Sequence, residues 1–82
     1  VEGRREMTYT LSMQKAFRSL TPPKNFSVQI IDNENFLTVK ANAEQFMRLG
    51  HDDKISAVEY MIRVKKALED NGAIVMLVRD KM

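Results

Sequence analysis

The chain has no cysteine and no tryptophan, a single histidine, two prolines and three glycines among its 82 residues. Each scarcity removes a class of chemistry. Without cysteine there is no disulfide, no thiolate zinc site, no iron–sulfur ligation and no thiol nucleophile. The lone His51 cannot build a multi-histidine metal site. The glycines Gly3, Gly50 and Gly72 stand isolated, so no glycine-rich loop is present to cradle a phosphate. No apolar run approaches the roughly 20 residues that cross a bilayer as a helix, and the opening VEGRREMTYT lacks the apolar stretch of a signal peptide. The expectation is a cytoplasmic protein with no membrane partner and no cofactor.

What is present is the balance of a folded chain: 44% hydrophobic, 29% charged and a net charge of +2. A chain of this length buries only roughly 60–65% of its unfolded surface, enough for one two-layer core but not for a deep catalytic cavity. The charge is unevenly spread. Residues 1–25 hold five basic groups, Arg4, Arg5, Lys15, Arg18 and Lys24, against Glu2 and Glu6, whereas residues 26–82 hold eight basic and nine acidic groups. Attraction to an anionic partner is therefore concentrated in the N-terminal third.

Residues 1–11 read as an N-terminal segment. Met7 offers a natural start, with residues 1–6 an artificial extension or the end of a preceding linker, and Met7, Tyr9 and Leu11 alternate with Thr8 and Thr10 as a short strand does. Residues 12–82 read as one α+β domain. Met13, Phe17 and Leu20 recur at helical spacing, which predicts a helix over 12–20 capped by Ser12 and ended by Pro22 and Pro23. The stretch 26–41 reads as a β-hairpin. A tight turn at Asn33-Glu34 pairs Ile30 with Leu37 and Val28 with Val39 on an inward face, and Ile31 with Phe36 and Gln29 with Thr38 on the other.

A short helix over 43–49 is stopped by Gly50, and a long one starts at Asp52 or Asp53, with Ile55, Ala57, Val58, Met61, Ile62, Ala67 and Leu68 as its core face, until Asn71-Gly72 ends it. The final run, residues 73–79, is apolar on both alternating faces and reads as a strand buried on both sides. The resulting fold class is an α+β two-layer sandwich with a hairpin, helices on one face and a C-terminal returning strand. If the first strand forms, the order is βαββαβ, that of a ferredoxin-like fold.

Candidate sites are few. His51-Asp52-Asp53 sets an imidazole beside carboxylates, as a general base or a metal ligand would require. Adjacent residues do not generally converge on one metal, and the triplet serves equally as a polar loop that caps a helix. No serine stands in a spacing that suggests a Ser-His-Asp arrangement, so no catalytic or metal residue is assigned. Arg63, Lys65 and Lys66 are offset by acids four residues away. Arg4, Arg5, Lys15, Arg18 and Lys24 are less compensated and form the candidate phosphate-binding set. The leading expectation is a non-catalytic interaction domain. Its partner is a protein, with a second copy as one candidate, engaged through an apolar sheet face formed by Ile31, Phe36 and Thr38 with one set from the last strand, Val75 and Leu77 or else Ile74, Met76 and Val78. A nucleic-acid-binding module and a small oligomeric enzyme with an intersubunit site are the alternatives.

Overall fold

The computed structural model describes residues 9–79, in which one helix precedes a hairpin, two further helices and a returning strand. Helix α1 spans Leu11–Arg18. Thr10 caps it rather than Ser12: its backbone is extended and its Oγ1 accepts a hydrogen bond from the Met13 N–H at 3.2 Å. Ser12 instead donates its hydroxyl to Asn71 Oδ1 at 2.7 Å, tying α1 to the far end of the long helix. Of the strand expected over residues 7–11, residues 7 and 8 lie outside the described residues, Tyr9 and Thr10 form no strand and Leu11 opens α1.

Strands β1 (Val28–Asp32) and β2 (Leu37–Ala41) form the antiparallel hairpin. Their register differs from the expected one by two positions, with Ile30 opposite Val39 and Ile31 opposite Thr38. The connection is a four-residue loop over 33–36, closed by the Asn33 N–H donating to the Phe36 carbonyl at 2.9 Å. Glu34 takes φ 74° there, and its N–H donates to Asp32 Oδ1 at 2.9 Å. Because side chains alternate with period two, a two-residue shift exchanges partners without exchanging faces. Phe36 leaves the strand for the loop, and Phe26 and Ser27 precede β1.

Strand β3 (Val75–Arg79) lies parallel to β2, giving a mixed three-stranded sheet in the order β1-β2-β3. A parallel return requires a crossover, which α2 (Ala43–Arg48) and α3 (His51–Asp70) provide. Gly50, not an aspartate, is the cap residue of α3, while Asp52 and Asp53 occupy its first turn and oppose the positive end of its dipole. At the other end Gly72 adopts φ 97°, and the N–H groups of Gly72 and Ala73 return to the carbonyls of Glu69 and Leu68. This left-handed cap turns the chain into β3.

The protein is thus a small α+β domain with three helices. Helix α3 packs on β2 and β3, with α1 against α3. The core comprises Leu37, Val39 and Ala41 of β2, Val75 of β3, Met13, Phe26, and Ala57, Tyr60, Val64 and Leu68 of α3. Phe46 of α2 closes one end, edge-on to Phe26 at 6.2 Å between ring centroids. The buried face of α3 differs from the expected one: Ile55, Val58 and Ile62 are exposed, and Tyr60 and Val64 take their place. The helix carries two apolar stripes about 150° apart, and only one of them meets the sheet.

Candidate interaction surface

The pairing register divides the sheet into two faces. Leu37, Val39 and Ala41 point to the helices, so their neighbours Val75 and Leu77 share that side. The outer face carries two rows, Ile31–Thr38–Met76 and Gln29–Lys40–Val78. The last strand is therefore split differently from the set Ile31, Phe36, Thr38, Val75 and Leu77. Met76 and Val78 join Ile31 and Thr38, Val75 is in the core, and Phe36 lies in the hairpin loop. Thr38 is also held by a polar contact, its Oγ1 accepting from Asn33 Nδ2 at 2.7 Å.

Strand β3 does not have the burial expected of a strand apolar on both faces. Val75 is 7% exposed, but Met76 is 51%, Leu77 38% and Val78 39% exposed, and Ile74 just before them 68%. The cause is position. Among the described residues β3 pairs only with β2, so one edge is unpaired and one face uncovered. Even Leu77, on the helix side, is partly bare, because α3 straddles β2 and β3 and extends no further. An apolar strand with a free edge is a template for a further strand.

The second apolar feature is the outward stripe of α3, in which Ile55, Val58 and Ile62 are 47%, 44% and 53% exposed at i, i+3 and i+7 spacing. Sequence reasoning merged this stripe with the buried one. Both stripes keep helical spacing, Ala57, Tyr60, Val64 and Leu68 at i, i+3, i+7 and i+11 as well as Ile55, Val58 and Ile62, so no local signal separates them.

The other candidate residues are scattered or solvated. Lys15 and Arg18 lie exposed in the last turn of α1 and Lys24 in the loop that follows, while Arg4 and Arg5 fall outside the described residues. His51, Asp52 and Asp53 are all exposed in the first turn of α3, and no cluster of metal-ligating groups occurs among the described residues. Lys65 pairs with Glu69 at 2.7 Å, as the helical spacing predicts. Lys54 Nζ sits 5.8 Å from the Phe46 ring centroid. A surface hollow of about 390 Å³, lined by Asn25, Gln45, Arg48, Leu49, Gly50 and Asp53, collects polar groups but has no nucleophile paired with a base. No helix among the described residues is long and apolar enough to cross a membrane.

Burial raises the phenol of Tyr60 above its ordinary value. Its folded form therefore holds the proton more tightly than the unfolded chain, so its contribution to stability is complete below about pH 10 and is lost as pH rises past that point. Tyr60→Phe is expected to flatten the alkaline limb of a stability–pH curve measured by urea unfolding. An unchanged limb would show that the ring titrates as freely in the fold as outside it.

Comparison of the chain with protein-family models, with characterised proteins and with solved structures gives no match.

Proposed function

We propose that this chain is a small non-catalytic interaction domain that binds a protein through β3. The observation that carries the reading is the strand itself: apolar at Met76, Leu77 and Val78 and at Ile74 just before it, exposed at all four, and free along one edge among the described residues. Soluble domains seldom expose a contiguous apolar patch without a partner for it. Strand addition would satisfy the edge N–H and C=O groups, while Ile31 and Met76, adjacent to Thr38 on the outer face, would lose water as the partner closes over them. The basic residues Lys15, Arg18 and Lys24 tune encounter with an acidic partner and do not contribute the contact.

Val78→Asp and Met76→Asp are expected to weaken association by about 30-fold or more, the loss typical of a central contact residue. Sedimentation velocity reads self-association, and titration of a captured protein reads binding to another chain. The helical circular dichroism of both variants should match the parent, because neither side chain belongs to the buried core. Unfolding of either variant would make its residue structural and sink the assignment. Binding that persists in both would place the contact elsewhere.

A further inference from the structure

The edge of β3 that is unpaired among the described residues and the outward stripe of α3 lie on the same side of the molecule. Around the helix, Tyr60 lies about 60° to one side of Ala57 and Val58 about 100° to the other. The Tyr60 flank is the one turned to α1 and the proline loop, where Pro23, Tyr60 and Arg63 share a hollow and Ser12 reaches Asn71. Val58 and Ile62 therefore belong to the opposite flank, above the side of the sheet that ends at β3.

Strand spacing converts this coincidence into a geometry. Paired strands lie about 4.8 Å apart, and α3 rests on both β2 and β3. A copy whose β3 paired with this one would carry its own α3 about two strand spacings away, ~10 Å, which is the distance of packed helices. The flanks brought together are those of Val58 and Ile62. Leu77, left bare at the end of the helix layer, would come under both helices at once.

We infer that the occupant of this surface is a second copy of the chain, joined about a two-fold axis by antiparallel β3–β3 pairing, with Val58 and Ile62 of the two α3 helices packed above the seam. The inference rests on the reading of β3 as the contact strand. A foreign strand would satisfy the edge of β3 but would leave the stripe on α3 without a purpose. Self-pairing centred on Leu77 sets Met76 opposite Val78 and Leu77 opposite itself, with no like charges opposed, as an isologous contact requires. Charge agrees. The first half of α3 carries Asp52, Asp53 and Glu59 against Lys54, and the second half Arg63, Lys65 and Lys66 against Glu69 and Asp70. The two-fold runs the helices antiparallel and sets each acidic half beside a basic one.

Sedimentation equilibrium on the full chain is expected to show a dimer. Val58→Glu and Ile62→Glu should each raise its Kd by about 30-fold or more, with circular dichroism unchanged because both residues are solvent-exposed. The parent has no cysteine, so a single introduced thiol reports the axis cleanly. Leu77→Cys should oxidise to a covalent dimer, since directly opposed strand residues fall within disulfide reach, while Thr38→Cys on the central strand should not. A chain that stays monomeric at millimolar concentration overturns the inference, as does a dimer that neither helix substitution weakens. In either case, association that Val78→Asp abolishes, whether with a second copy or with a different protein, preserves β3 as the contact strand, and absence of any such association removes both readings.

Discussion

Leu68→Ala is expected to remove about 3 kcal/mol of stability, within the range of buried leucine truncations, and to lower Tm by roughly 12–24 °C. Leu68 is among the largest fully buried side chains, in a cluster with Val64, Leu37 and Val75. It lies in the last turn of α3, and its carbonyl accepts hydrogen bonds from the N–H groups of Asn71 and Ala73. Those backbone bonds survive truncation, so the loss is one of apolar contact and residual cavity. The helix cap that directs the chain into β3 remains. Ile55→Ala is the matched control. It removes a similar number of methylene groups from the same helix, on the stripe that faces water, and should cost less than about 0.5 kcal/mol. Urea unfolding of the pair decides which stripe of α3 supports the fold. Equal losses would mean that Ile55 is packed in solution and that the division of the helix into two faces is wrong.

That division marks the boundary of what could be read from the residues. The elements themselves were legible, because each has strong local punctuation: Pro22-Pro23 after α1, Asn71-Gly72 after α3, and alternating apolar residues on either side of Asn33. Faces were legible where a period was unambiguous. In the hairpin a register error of two positions left Val28, Ile30, Leu37 and Val39 on the correct side. On α3 the period was ambiguous. Ile55, Val58 and Ile62 satisfy helical spacing as well as Ala57, Val64 and Leu68 do, and hydrophobicity alone favours the isoleucines over the alanine and the tyrosine. Tertiary contact chooses between the stripes: the small Ala57 lets α3 approach the sheet, while Tyr60 fills the angle beside α1.

Strand β3 shows the same limit from the other direction. Its composition asks for cover on both faces, and composition carries no information on whether the cover comes from this chain. The candidate surface was consequently legible as a need for burial and illegible as a set of residues. The parity of Val75, Leu77 against Met76, Val78 depends on pairing with β2, which no local signal encodes.

Val39→Asp is expected to leave the chain unfolded at neutral pH, while Thr38→Asp, one residue away, leaves it folded. Val39 is fully buried in the central strand, flanked by Ile30 on β1 and Leu77 on β3. An ionised carboxylate there has no cation among the core residues to pair with, and its desolvation costs several kcal/mol. The buried apolar area of the valine, about 2 kcal/mol, is lost as well. At roughly 0.05–0.15 kcal/mol per residue a domain of this size holds only about 4–12 kcal/mol in total, so the penalty approaches or exceeds the reserve. Protonation offers partial relief. Burial would raise the introduced carboxyl above its unfolded value of about 3.9, so the deficit is smallest below that pH and grows as pH rises through the folded value. Far-UV circular dichroism should therefore show Val39→Asp recovering structure as the pH is lowered toward 4. Thr38 points to the outer face, where a carboxylate meets water and can still accept the hydrogen bond from Asn33 Nδ2. A folded Val39→Asp at neutral pH, or an unfolded Thr38→Asp, would exchange the two faces of β2 and, with them, the side of the sheet on which Met76 and Val78 await a partner.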